Sequence, residues 1–208
     1  MSLKQDIVLL IMNCHKYAHK AQHQINGWLQ EVDIPYFHVI GKEDLETPYL
    51  FANRTLYVKT KDDYISLPHK VIEAYAAVQA EYDYKYIFKT DDDQELTFPV
   101  FLKILAENLL SQTNKIHYGG KIVNVTQDHL SKYWQFHPEL PKDVLVKKSV
   151  YCNGRFYVLS SQAVNSLISK KDNIKKEYFE DYAVGYYLEP QYKFPIYEIP
   201  NDVFVDFV

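Results

Sequence analysis

The first half of the chain alternates short apolar runs with stretches of helical period. Asp6–Asn13 is almost wholly apolar, the pattern of a strand buried on both faces. His15–Gln30 meets no Gly or Pro before Gly27 and predicts a helix. Ile34–Ile40, closed by Gly41, predicts a second strand; 42–55 reads as loop and Thr55–Val58 as a third short strand. Asp62–Lys70 opens a helix in which Ser66 is placed to cap, Pro68 is tolerated in the first turn, and Leu67, Val71, Tyr75 and Val78 form one stripe. A strand over 84–88 follows, then a helix from Thr97-Phe98-Pro99 to about Ser111. Strands alternating with helices predict a doubly wound, mostly parallel sheet.

After residue 115 the rhythm changes. Tyr118–Val123 predicts a strand, and 126–143 is irregular but carries Tyr133, Trp134, Phe136 and His137. Val144–Val150 and Arg155–Leu159 predict two strands around a turn at Tyr151-Cys152-Asn153-Gly154. A short helix over 161–170, a lysine-rich loop and a last helix led by Phe179-Glu180-Asp181 precede a tail, 194–208, that alternates around Pro195 and Pro200. No repeat, low-complexity tract or linker divides the 208 residues, which predict one domain: a half over about 1–115 and a second, smaller β region over 116–208. The apolar end Phe207-Val208 leaves open that this domain is a piece of a longer polypeptide.

Composition narrows the function classes. A net charge of −4 with no basic stripe argues against nucleic acid as a partner. Two cysteines, Cys14 and Cys152, make no disulfide framework, so a reduced, cytoplasmic compartment is expected. The apolar segment Ile7–Met12 is too short for a membrane span. The 19 tyrosines pair flat apolar faces with hydroxyls, which suits sugars and bases, although most are expected to serve strands and core.

The chemistry concentrates at Tyr84-Lys85-Tyr86-Ile87-Phe88-Lys89-Thr90-Asp91-Asp92-Asp93. An isolated acidic triplet is usually a solvated loop. Here three carboxylates directly follow a buried strand, where open α/β sheets place their ligands, and their mutual repulsion calls for a cation. Mg²⁺ and Mn²⁺ favour oxygen surroundings shared with a phosphate.

Four collinear stretches resemble the β-1,3-glycosyltransferase family that includes Fringe and the β-1,3-galactosyltransferases. Asp62, Tyr64, Leu67 and Lys70 match an Asp-x-Tyr-x-x-Leu-x-x-Lys stretch. Lys89–Asp93 resembles a Lys-x-Asp-Asp-Asp metal motif. Tyr151–Ser160 is similar to a Tyr-Cys-Ser-Gly-Gly-Gly-Tyr-Val-Leu-Ser block, and Glu180–Gly185 to a Glu-Asp-Val-x-x-Gly block. The resemblance implies a GT-A (Rossmann-like) fold and an inverting transferase that uses a UDP-sugar donor, Mn²⁺ or Mg²⁺, and a glycan or glycoprotein acceptor. It implies Asp93 and Asp91 at the metal, with Asp91 also toward ribose or metal-bound water, and Asp92 beside them. The base is expected to be Asp181, with Glu180 as substitute or orienting partner; a helix N-cap is the competing role for that pair. Asn13 and Lys16 after the first strand, with Tyr64 and Lys70, are expected at the nucleotide, Lys70 toward phosphate. Trp134, Tyr151 and Tyr157 are candidates for stacking on a sugar, Tyr157 more naturally core.

The chain also departs from that family. Asn153, Arg155 and Phe156 replace small residues, and no histidine follows the Glu-Asp block, so a further metal ligand is expected to be water, Asp202, Asp206 or a residue outside the chain. The compact form, without an anchor, resembles viral or microbial members such as the chlorovirus glycosyltransferases. The alternatives are a nucleotidyltransferase, which would want a Gly-rich or Lys/Arg-rich phosphate loop near strand 1, and a non-catalytic carbohydrate- or nucleotide-sugar-binding module.

Overall fold

The structure, a computed structural model, describes residues 3–207. In chain order its main elements are β1 (Ile7–Met12), α1 (Ala18–Asn26), β2 (Tyr36–Gly41), β3 (Tyr49–Ala52), β4 (Thr55–Val58), α2 (Leu67–Glu81), β5 (Tyr86–Asp91), β6 (Gln94–Leu96), α3 (Val100–Ser111), β7 (Tyr118–Val125), β8 (Ser149–Ser160), α4 (Ser161–Ile168), α5 (Glu180–Tyr187), β9 (Tyr197–Glu198) and β10 (Phe204–Asp206).

The eight-stranded sheet has the order β9-β7-β8-β5-β1-β2-β4-β3, and only β8 and β3 run against the rest. The expected class, a mixed and mostly parallel sheet flanked by helices, is the one observed. Its two faces explain the unbroken apolar run of β1. Val8, Leu10 and Met12 pack with Val71, Tyr75, Val78, Val164 and Ala183 of α2, α4 and α5. Ile7, Leu9 and Ile11 pack on the other face with Trp28, Leu29, Leu102, Leu105 and Phe204. Each such side chain, fully removed from water, contributes about 1.5–3 kcal/mol. Two central strands, β1 and β5, therefore end together at Met12 and Asp91, which are register partners.

Four local expectations need correction. The helix expected over His15–Gln30 is broken: a 3₁₀ turn at His15–Tyr17 leads into α1, and Gly27 interrupts before a second 3₁₀ turn at Trp28–Glu31. That break lets Trp28 and Leu29 point into the core. The loop expected over 42–55 contains β3, hairpinned on β4 through Asn53, whose φ of 56° asparagine tolerates. Being half exposed at the sheet edge, β3 lacks the apolar signature of the central strands. Ser66 precedes α2 but makes no side-chain cap; its amide instead donates to Asp63 Oδ1 at 2.8 Å.

The fourth correction shapes the site. The two strands expected around a turn at Tyr151–Gly154 are one strand, β8, whose pairing with β7 shifts register between Cys152 and Tyr157. Backbone groups at the bulge must still find partners. Lys89 Nζ donates to Gly154 O at 2.8 Å, Thr90 Oγ1 donates to Arg155 O at 2.7 Å, and the Gly154 amide donates to Asp181 Oδ2 at 2.9 Å. Helix α5 lies so close that a Cβ on Gly185 would overlap Tyr151, so that position requires glycine. No described helix is long and apolar enough to cross a membrane. Val208, the end of the alternating tail, lies outside the described residues.

Candidate active site

A cleft of about 940 Å³ opens where β1 and β5 end. It brings together the residues expected at the metal, the nucleotide and the base, Asn13, Lys16, Tyr64, Lys70, Asp91, Asp92, Asp93, Glu180 and Asp181. Tyr151 also lines it, whereas Trp134 and Tyr157 do not; Tyr157 is wholly buried beneath the cleft floor.

One wall is held by Asp62. Its Oδ1 accepts from the Gly41 amide at 2.8 Å and Lys70 Nζ at 2.6 Å, while Oδ2 accepts from the His15 amide at 2.7 Å. Although burial works against ionisation, these donors hold the Asp62 carboxyl below its ordinary range. Lys70 also donates to the Asn13 carbonyl at 2.8 Å. Two of its three N–H donors are thus spent within the chain, ordering the β1–α1 turn, and Lys70 still lines the cleft. Asn13 Oδ1 accepts from the Cys14 amide, but its Nδ2 is buried with no partner among the described residues. Tyr64 lies face to face with His137, centroids 3.9 Å apart and planes at 12°, so the irregular stretch after β7 closes over it.

The floor is built around Lys89. The sequence placed it in a motif but assigned it no role; the available signal was a charged residue inside an apolar strand. Lys89 is wholly buried and is the cross-strand partner of Tyr157. Its ammonium meets Asp91 Oδ1 at 2.7 Å and Glu180 Oε2 at 2.9 Å. Burial alone would depress this amine, yet the two carboxylates raise its pKa above the ordinary value. Glu180 Oε1 accepts from the Tyr157 hydroxyl, which in turn pairs with Tyr75 OH at 2.6 Å. Burial pushes the Glu180 carboxyl up, with Lys89 opposing it. With both oxygens engaged, Glu180 acts as an anchor for α5. Of the two roles expected for Glu180, that of orienting partner fits this geometry better than that of substitute base.

Asp181, next on α5, faces the cleft. Its Oδ1 accepts from the Tyr182 amide at 2.7 Å and its Oδ2 from Gly154. Burial raises its pKa, and Lys89 and the two amides restrain that rise. Each oxygen has a lone pair left to receive a proton.

The acidic triplet is short of positive charge. Burial lifts Asp91 to about 6, against the pull of Lys89, and burial together with Asp93 and Asp91 lifts Asp92 to about 7. Asp93 Oδ1 accepts from Gln94 Nε2 at 2.9 Å, and the same amide reaches Asp206 Oδ1 at 2.7 Å. Arg155 forks onto Asp206 at 2.8 and 2.7 Å, closing the β6–β10 ribbon against the triplet. Asp206 is thus beside Asp93 but spent on Arg155, and Asp202 does not line the cleft. No group of three His, Cys, Asp or Glu side chains among the described residues could hold an ion unaided. What the donor set does fit is a hard cation held by one or two carboxylates and completed by phosphate oxygens.

A family model described as galactosyltransferase matches residues 54–198. No curated protein matches the chain. Similar solved structures include a 2-C-methyl-D-erythritol 4-phosphate cytidylyltransferase from Francisella tularensis, 11% identical, with 98% of this chain and 94% of that one covered at a TM-score of 0.46. A 4-diphosphocytidyl-2C-methyl-D-erythritol synthase from Anaerococcus prevotii is 9% identical, with coverage of 98% and 92% and a TM-score of 0.48. HddC from Yersinia pseudotuberculosis is 10% identical, with coverage of 94% and 89% and a TM-score of 0.41. The matched span holds the acidic end of β5, the bulged strand β8 and the Glu180–Asp181 start of α5, and on that match the chain belongs to the galactosyltransferase family and is a glycosyltransferase.

Proposed function

We propose that the protein moves a sugar from a UDP-sugar to a hydroxyl of a glycan acceptor with inversion, and that it needs Mn²⁺ or Mg²⁺. One observation carries the reading. The carboxylates of Asp91, Asp92, Asp93, Glu180 and Asp181 meet in one cleft, and among the described residues only Lys89 forms an ion pair with any of them, although Lys16, Lys20 and Lys70 also line it. A cation would screen that field from an approaching diphosphate. Asp93 and the oxygen of Asp91 not facing Lys89 would hold it, with Asp92 alongside. When bound, such an ion screens the diphosphate and stabilises charge on the departing nucleotide.

This chain's own residues do the rest. The unpartnered Asn13 Nδ2 offers a donor to a carbonyl of the base, and Lys16 and Tyr64 line the same wall. Asp181 takes the acceptor hydroxyl proton. Burial makes it more basic than a solvated aspartate, and the amides of Gly154 and Tyr182 fix its direction. Lys89 keeps the two ends of the reaction in register, because Asp91 and Glu180 share its ammonium.

Calorimetric titration of UDP with Mn²⁺ and then with EDTA tests the reading. Binding that disappears with EDTA is expected. Equal binding in both conditions would remove the cation requirement, and no binding in either would remove the UDP donor.

A further inference from the structure

Beyond the cleft, strand β8 borders a second recess of about 390 Å³, lined among others by Val125, Lys148, Ser149, Tyr186, Lys193 and Phe194. The two share a wall. Val125 lines both, and Tyr182 of the cleft stacks on Tyr186 of the recess with centroids 5.3 Å apart and planes at 24°.

Lys193 makes this recess unusual. It is 9% exposed, and its ammonium forms no hydrogen bond or ion pair with any described residue. The other buried lysines among the described residues, Lys70 and Lys89, are each held by carboxylate and carbonyl oxygens. The Lys193 stem is buried while the ammonium itself reaches the surface of the recess, and this partial burial lowers its pKa. Lys148 opens on the same recess and likewise has no described carboxylate within ion-pair distance; only its backbone amide meets Asp128, at 2.7 Å. Lys147 Nζ lies 5.9 Å from the centroid of the Tyr186 ring and Lys193 Nζ 5.8 Å from that of Phe194. Phe194, 54% exposed, offers a second ring at the edge.

We propose that this recess binds an oxyanion carried on the acceptor glycan, a carboxylate, sulfate ester or phosphate ester. Lys193 and Lys148 are the receptors, and the rings of Tyr186 and Phe194 bear on the sugar. Anion recognition stands on the two lysines; the acceptor role rests on the transferase reading above. The acceptor would lie along β8, its reacting hydroxyl at Asp181 and its charged residue at Lys193. Specificity then comes from a charge that neutral glycans lack.

The test is titration of the full chain with methyl β-glucuronide, methyl β-glucoside and, separately, sodium sulfate. The glucuronide is expected to bind at least about tenfold tighter than the glucoside, the worth of one charge-assisted hydrogen bond. Lys193→Met should erase that preference and Lys193→Arg should keep it, with UDP binding unchanged in both. Lys148→Ala, at an exposed position, should weaken the preference without threatening the fold. Equal binding of the two glycosides, or a preference that survives Lys193→Met and Lys148→Ala, would overturn the site. Sulfate binding as tightly as the glucuronide would overturn the glycan part. Loss of UDP binding in the wild-type chain with the glucuronide preference intact would instead strike the transferase reading alone.

Discussion

The floor of the cleft and the recess beside it each bury a lysine and treat it in opposite ways. Lys89 is surrounded by two carboxylates, a carbonyl and an aromatic face, with Tyr157 5.4 Å away. Lys193 has an aromatic ring 5.8 Å away and no ion pair with any described residue. A charge in a poorly solvated place must be neutralised from within, lose its proton or wait for a partner. Lys89 follows the first course, which makes it part of the scaffold. Lys193 escapes that choice by carrying its ammonium from a buried stem to the surface of the recess, where it is open to a partner from outside. His38 completes the set. Both its ring nitrogens are buried without partners, and burial lowers its pKa to about 4, so it stays neutral.

The largest effect is expected from breaking the paired lysine. Lys89→Met leaves Glu180 and Asp91 facing one another without a cation, which should cost about 3–5 kcal/mol of stability in urea denaturation and abolish transfer. Adding Glu180→Gln should recover a good part of that loss. A single-variant cost below about 1 kcal/mol would show that the pair does not hold the floor together.

His38 should make the protein acid-sensitive. Its folded pKa lies below the unfolded value, so its contribution is complete above about pH 6.5 and is lost as pH falls toward about 4, by up to about 3 kcal/mol. His38→Leu should flatten that part of the stability profile. An unchanged acid slope would show that His38 is not its source.

Asp181→Asn probes the group that the Lys89 cluster aims. Turnover should fall by about 100-fold or more while UDP affinity holds. If transfer and donor hydrolysis both survive the change, the base lies elsewhere. The smallest effect is expected at the unpaired lysine. Lys193→Met should shift stability by no more than about 1 kcal/mol, because its ammonium reaches the recess surface and forms no ion pair with a described residue. A loss comparable to that of Lys89→Met would mean that Lys193 has an internal partner.

Legibility differed sharply between these regions. The acidic end of β5 could be read because an apolar run and a carboxylate cluster are both local patterns. Its meeting with Glu180-Asp181 followed only from the resemblance to a family, since nothing local ties the two stretches. The break at Gly27, the edge strand Tyr49–Ala52 and the continuity of β8 through Gly154 were missed for one reason. Each depends on what lies across the chain: a core for Trp28, a neighbour for β3, and the side chains of Lys89, Thr90 and Asp181 that satisfy the bulge.

By itself the amino-acid sequence determined the class of sheet, the placing of the central strands and the residues that carry charge into the cleft, because periodicity and composition act through near neighbours. The tertiary structure alone decided which charges are spent. Lys70 is committed to Asp62 and Asn13, Glu180 to Lys89 and Tyr157, and Asp206 to Arg155, whereas Asn13 Nδ2 and Lys193 remain without described partners. The physical reason is that pairing depends on distance and burial in three dimensions, and residues far apart in the chain meet only when the sheet brings them together.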